Sequence, residues 1–381
     1  MKCLLIVNVI DTLLNSRGPL IKMMLQNGHT VMVAAPGLRL DNPVAQTIVA
    51  MGGQVSDIPL RRISTNPLQD AFLMLALWRL MRRWQPDLII AYTIKPIVYG
   101  MLAGRLARVP RRFALVTGLG YAFTLKTTGV SGALKALVLR LYGLALSNAH
   151  KVFFQNPDDR ALLISLGLLP RDLPNVVVNG SGVDLDYYAS APVPDGEPHF
   201  LMIGRFLLDK GIHEYVQAAR NLRRKHPKIS FSLVGWIDEN PAAIAQSELN
   251  DWIAQGDIEF LGRLVDVRPA ILNASVFVLP SYGEGTPRTV LEAMSMGRSI
   301  ITTDAPGCRE TVIEGRNGFL IAVRSVTELE RAMAMFIENP ALAKVMGPAS
   351  RQIAEEKYDV HNVNTIMLRE MGMPTAHPKQ V

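Results

Sequence analysis

Apolar residues in this chain fall into short unbroken runs separated by longer stretches of helical spacing. Residues 4–9, 30–34, 88–91, 113–117 and 152–155 read as strands buried on both faces, as do 199–203, 230–234, 258–261, 276–279 and 299–303. Helical patterns lie between them: 19–27 closed by Gly28, 70–85, 131–147, 212–225 and 341–369. Strand–helix alternation of this kind predicts an α/β protein built on parallel sheets. The length of 381 residues suits two or three domains, and the Pro-, Asp- and Gly-rich residues 191–198 look like a linker. The expected division is 1–195 and 196–350, with 351–381 as a closing helix and a polar, disordered tail from Pro374.

One stretch concentrates the candidate chemistry. The strand at 276–279 ends at Pro280, and a loop with Gly283 and Gly285 follows. Thr286 is placed to cap a helix with Pro287 as its first residue, and Gly297 to end it. Such a turn puts backbone N–H groups and a positive helix end at the carboxyl edge of a sheet, where phosphorylated ligands bind. Glu284 sits in the loop and Glu292 on the helix, with seven residues between them. A loop carboxylate can accept hydrogen bonds from sugar hydroxyls, and a helix carboxylate can bridge a ribose. A solvated loop acid and a surface helix acid would look the same by spacing alone.

The stretch resembles the E-x7-E signature of the retaining GT-B glycosyltransferases of family 4, and the resemblance extends over nearly the whole chain. Within that family it is most similar to bacterial enzymes that extend undecaprenyl-diphosphate-linked saccharides, N-acetylgalactosaminyltransferases of protein glycosylation among them. The resemblance implies two Rossmann-like domains facing a cleft, with the last helix returning to the first domain. It implies a hexosyl or N-acetylhexosaminyl group moved from a UDP-sugar with retention, the departing β-phosphate deprotonating the acceptor. Glu284 would position the donor sugar and Glu292 would hold the ribose. Gly204, Arg205, Lys210 and Gly211 match the family's G-R-x-x-x-x-K-G pattern. The two cations would stabilise the charge growing on the leaving diphosphate. Gly204, Gly285 and Thr286 would border the donor, and Arg263 and Leu264 would meet the base.

On the acceptor side the resemblance points to Arg17 and Gly18 in a loop after the first strand, and to Gly118 and Gly120 after the strand at 113–117. Where many members carry a donor-touching histidine, this chain has Ile94, so Lys95 is the nearest polar candidate for substrate phosphate. A plain βα turn and a solvated lysine account for the same residues. Asp184 and Asp186 form an Asp-x-Asp triplet, which in another glycosyltransferase fold holds a metal; here it resembles a structural junction segment. No metal is expected, and the UDP-sugar is a substrate rather than a cofactor.

Charge adds a partner. Residues 1–150 hold 17 Lys and Arg against 5 Asp and Glu, while the remaining 231 hold 23 against 28, within an overall charge of +7. A basic first half implies an anionic partner. The helix at 131–147, with Lys135 and Arg140 among leucines, suits either a membrane interface or a core. The expectation is a cytoplasmic protein bound peripherally to an anionic inner membrane face, where a polyprenyl-diphosphate-linked saccharide would be met. No apolar run is long enough to span a bilayer. The run after Met1-Lys2 is short and lacks a cleavage site, so it reads as a strand. Two distant cysteines argue against a disulfide framework or a cysteine-based metal site. Two rivals are a UDP-sugar epimerase of the same fold and a nucleic-acid-binding protein. The second is disfavoured because aromatics are not interleaved with the cations.

Overall fold

The computed structural model describes residues 1–61, 66–119 and 130–373. Two compact units emerge, one formed by residues 1–181 together with 361–381 and the other by 182–360.

The first unit holds a seven-stranded parallel sheet. Its strands are β1 (Lys2–Ile6), β2 (Thr30–Ala35), β3 (Gln54–Asp57), β4 (Leu88–Tyr92), β5 (Arg111–Val116), β6 (Lys151–Phe154) and β7 (Asn175–Val177), in the order β3-β2-β1-β4-β5-β6-β7. Alternate residues feed opposite faces. Leu4 and Ile6 enter a core closed by the helices Pro67–Trp84, Ile94–Leu106 and Val130–Ser147, through Leu77, Met101 and Leu146. Cys3 and Leu5 enter a second core closed by Leu13–Gln26, Pro43–Ala50 and Val360–Glu370. Three helices begin with one device, an asparagine cap followed by proline. Asn42, Asn66 and Asn156 each accept a backbone N–H of the first turn, and Pro43, Pro67 and Pro157 follow. The Asn66 cap starts its helix at Pro67 rather than at residue 70.

The second unit holds a six-stranded parallel sheet: β8 (His199–Arg205), β9 (Ser230–Trp236), β10 (Glu259–Gly262), β11 (Val276–Leu279), β12 (Ser299–Thr303) and β13 (Gly318–Ile321), ordered β10-β9-β8-β11-β12-β13. Each sheet reverses its winding beside its first strand, so each has a switch point where ligands of such folds bind.

The boundaries at 195 and 350 need correction. Residues 182–198 belong to the second unit, where Arg298 holds them at Ala191 and Arg351 at Leu185. The Arg298 side chain is fully buried, with no carboxylate partner, and donates to the carbonyls of Ala191, Ile271 and Leu272. Burial lowers its pKa to about 10. Arg351 donates to the carbonyls of Leu185 and Ser295. The apparent linker is therefore packed structure, and the crossings fall at 181/182 and 360/361. The closing helical pattern is two helices, Ala341–Lys357 and Val360–Glu370, broken where Asp359 pairs with Val183. Glu370 meets Lys151 of β6 at 2.8 Å. The tail from Pro374 lies outside the described residues.

Asn156 is fully buried; its Oδ1 accepts from the Asp159 N–H at 2.7 Å and its Nδ2 donates to the Asp159 carboxylate at 3.0 Å. Asn156→Ala is expected to remove about 1–2 kcal/mol from the first unit, read as a lower urea midpoint for its transition. An unchanged midpoint would show that this cap carries no stability.

Candidate functional site

The second unit gathers its polar side chains at the carboxyl edge of its sheet, on the loops that leave β8, β9, β11 and β12. Lys210, on the β8 loop, lies 2.5 Å from Glu284 Oε1 on the β11 loop. Arg205, the last residue of β8, donates through Nη1 to Asp238 Oδ2 on the β9 loop at 2.9 Å. These four side chains span three adjacent strands.

Close backbone approach holds the loops in place. The backbone N–H groups of Tyr282 and Glu284 donate to the carbonyls of Asp209 and Pro306, both at 2.8 Å. Gly211 (φ +70°) passes the Pro280 carbonyl so closely that a Cβ would sit 2.1 Å from its oxygen. Gly307 (φ +78°) passes Glu284, where a Cβ would come within 2.2 Å of the carbonyl oxygen. Side chains at these two positions would drive the loops apart. At Gly204 a Cβ would meet nothing within 4 Å, so that glycine borders open space.

Glu292 stands on the helix Arg288–Ser295, which starts one residue later than expected: Pro287 flanks it, and Thr286 precedes the flanking position. The Glu292 carboxylate is buried, with only 4 % of the residue exposed, and accepts from Arg288 Nε at 2.7 Å. Tyr188 packs against the pair; burial and the Glu292 charge raise its phenol pKa. Gly297 has φ +74° and follows the last turn, as its position suggested. Arg263 stacks over the Trp236 ring at 4.3 Å, and Leu264 packs against the core. Asp184 turns back on its own chain and accepts from the N–H groups of Asp186 and Tyr187. Among the described residues no group of three or more His, Cys, Asp and Glu is placed to hold a metal.

Three side chains here escaped the sequence reading. Asp238 is 9 % exposed; while holding Arg205 it also accepts from the Asn240 N–H at 2.9 Å. Its loop is knitted to the β8 loop by Leu208 N–H to the Ala242 carbonyl and Ile244 N–H to the Phe206 carbonyl. Arg288 had a legible signal, an arginine four residues before a helix glutamate. Tyr282 bonds Glu214 at 2.6 Å under the Arg324 guanidinium, anchoring the loop that carries Glu284. Beneath that loop the Cys308 thiol is pushed up to about 12 by burial, and then by the Glu284 charge. It therefore stays protonated.

The acceptor-side candidates belong to the first unit, and two readings there are corrected. Arg17 and Gly18 lie not in a loop but inside the helix Leu13–Gln26. Leu13, Arg17, Leu20 and Met24 share a buried face, and this period runs through Pro19. The proline removes the donor to the Asn15 carbonyl and sets its ring against that carbonyl, a cost the buried face offsets. Arg17 donates to Ser181 Oγ at 2.8 Å and stacks on the Tyr92 ring at 4.3 Å. Lys95 is likewise helical, in the first turn of Ile94–Leu106, and its ammonium pairs with Asp70 at 2.9 Å. Thr93 before it has φ +69°, a strained value for a branched residue, and the Tyr92 hydroxyl is buried without a hydrogen-bond partner. Gly118 has φ +102° just beyond β5, and Gly120 lies outside the described residues. The structure thus brings Arg17 to the end of β4, while Lys95 turns toward the preceding helix.

Two family descriptions match this chain, Glycosyl transferase 4-like domain over residues 18–180 and Glycosyl transferases group 1 over residues 186–353. With two parallel-sheet Rossmann-like units, the chain belongs to the glycosyltransferases of GT-B fold. It is 29 % identical over 86 % of both chains to the N,N'-diacetylbacillosaminyl-diphospho-undecaprenol alpha-1,3-N-acetylgalactosaminyltransferase of Campylobacter jejuni. It is 27 % identical over 72 % of both chains to an Escherichia coli UDP-Gal:alpha-D-GlcNAc-diphosphoundecaprenol alpha-1,3-galactosyltransferase. The fold is shared with Anabaena Alr3699/HepE, solved in complex with UDP: TM-score 0.77, 20 % identity, 98 % of this chain and 100 % of that one.

Gly307→Ala is expected to destabilise the second unit by about 1–3 kcal/mol through strain at positive φ and the clash with the Glu284 carbonyl. The check is its thermal midpoint; one within a degree of the parent would show that the loop gives way without cost.

Proposed function

We propose that this chain transfers a hexosyl or N-acetylhexosaminyl group from a UDP-sugar to an undecaprenyl-diphosphate-linked saccharide, with retention, in the assembly of a surface polysaccharide or glycan. The observation that carries the reading is the opposition of Lys210 to Glu284 on loops from adjacent strands, with Arg205 ending the strand that leads to Lys210. Both named relatives act on lipid-diphosphate-linked sugars, which supports the acceptor class.

Each side chain then has a task. Arg205 and Lys210 take up the negative charge that grows on the β-phosphate as the sugar leaves, and a metal is not required for that. Lys210 is held by Glu284 until the diphosphate arrives, so donor binding exchanges one anionic partner for another. Glu284, released from full pairing, accepts hydrogen bonds from the sugar and stabilises positive charge on its ring. Glu292 receives the ribose hydroxyls once Arg288 yields part of its hold. Gly204 leaves room for the diphosphate, Gly285 and Thr286 line the sugar, and Arg263 and Leu264 border the base. The acceptor is met by the first unit, through Arg17 at the end of β4, Gly18 next to it in the helix, Gly118 just beyond β5 and Lys95 at the start of its helix, with Gly120 following in sequence. The protein works at the inner face of the plasma membrane; among the described residues no helix is long and apolar enough to cross it.

A panel of UDP-sugars with a short-chain polyprenyl-diphosphate-linked saccharide, read by mass spectrometry, tests the assignment. One UDP-sugar should extend the acceptor by one residue, with turnover within about twofold of its value after EDTA treatment. Epimerised sugar without transfer, or no binding of any UDP-sugar, would overturn it. Glu284→Gln should lower kcat by about a hundredfold or more. Asp238→Asn should lower kcat about tenfold with a smaller change in KM, because it frees Arg205 without removing it. Unchanged turnover in either variant removes that residue from the machinery.

A further inference from the structure

The helix Pro67–Trp84 buries one stripe, Leu73, Leu77 and Met81, in the first core. Its opposite stripe is apolar and uncovered. Leu68 is 71 % exposed, Phe72 66 %, Leu75 38 % and Trp78 36 %, at the three- and four-residue spacing of one helical face. The same face continues into Arg79, Arg82 and Arg83, all exposed. Side by side with it lie two more helices of the same layer, Ile94–Leu106 and Val130–Ser147. They add exposed Leu106, Leu137 and Leu144, and exposed Arg105 and Arg140. Across the three helices the one acid is Asp70, and it is paired with Lys95.

We propose that this face, led by Leu68, Phe72, Leu75 and Trp78, inserts into the headgroup region of an anionic phospholipid bilayer. The helix would lie in the interface along its length of about 27 Å. Charge selects the occupant. A bilayer offers an apolar interior beneath a negative surface, matching a row of apolar side chains that ends in arginines. A second copy of the chain would bring like charges together around the same apolar row. The exposed apolar residues Leu68, Phe72 and Leu75 lie in the first three turns and the cations in the last two, with Trp78 where they meet, an aromatic suited to an interface. The proposal adds to the lipid-linked acceptor above the surface on which that acceptor is reached, and rests on that reading for its purpose.

The test uses the full chain and co-sedimentation with phosphatidylglycerol or phosphatidylcholine vesicles. The parent should bind the anionic vesicles and lose binding as salt rises. Leu68→Ser with Phe72→Ser, and separately Arg79→Glu with Arg82→Glu and Arg83→Glu, should each lower the partition coefficient at least about tenfold. Circular dichroism and the thermal midpoint should match the parent, since every substituted side chain is exposed. Turnover on a water-soluble short-chain acceptor should be unchanged in both variants. If the parent lacks that turnover while the vesicle results hold, the transfer reading fails and the docking face stands. Vesicle binding that is absent in the parent, or equal in parent and variants, overturns the docking face. So does a parent that sediments as a dimer and becomes monomeric with Phe72→Ser, since the occupant is then a second copy.

Discussion

The site of the second unit depends on one ion pair bridging loops that the chain itself does not connect locally. Lys210 and Glu284 lie 74 residues apart in sequence and meet because β8 and β11 are neighbours. Side chains 15 % and 17 % exposed keep much of their attraction, since water screens them only in part. The contact is possible only because Gly211 and Gly307 let three loops pass at backbone distance. A pair of opposite charges held in readiness is also a compromise. Each charge is kept oriented by the other, and a ligand that engaged either one would have to draw it away from its partner. Arg205 and Asp238 repeat the arrangement one strand away, as do Arg288 and Glu292 on the helix. Each of these six side chains is thus preorganised by a partner of opposite sign, which limits the reorganisation that a ligand would require.

Much of the fold was legible because parallel strands covered on both faces must be continuous apolar runs. Those runs stand out at residues 4–9, 88–91 and 276–279. The Glu284 and Glu292 pair was legible because both residues fall in one contiguous strand–loop–helix unit. What could not be read was tertiary. Asp238 gives no sign in sequence that it will hold Arg205, since the two meet only when β8 and β9 align. The segment 191–198 has the composition of a linker, and the reason it packs is a buried arginine a hundred residues away. Pro19 concealed a helix that its apolar period, read back to Leu13, would have revealed. Pro96 and the turn-like Tyr92-Thr93 concealed another beginning at Ile94. Pro96 lies in a first turn, where a proline costs little, whereas Pro19 lies inside its helix and is carried there by the packing of the buried face.

The first unit also shows strain where its strands end. Thr93 holds a left-handed conformation unusual for a branched residue, and beside it a buried tyrosine hydroxyl makes no bond while an arginine covers its ring. Such features are expensive in a small core and persist where the surrounding structure fixes them. They mark the end of β4 as the counterpart, in this unit, of the edge where Lys210 and Glu284 meet in the other.

The chain leaves the first unit at Ser181 and re-enters it at His361, so one unit is interrupted by the other. Met367, Leu368, Met371 and Met373 fill the core beneath β1, β4 and β5, yet they come after the whole of the second unit in the chain. During translation the second unit is complete while the first still presents an uncovered sheet face. The first unit is therefore begun earlier and finished later, and its exposed strands must await a helix that is made only after the whole second unit.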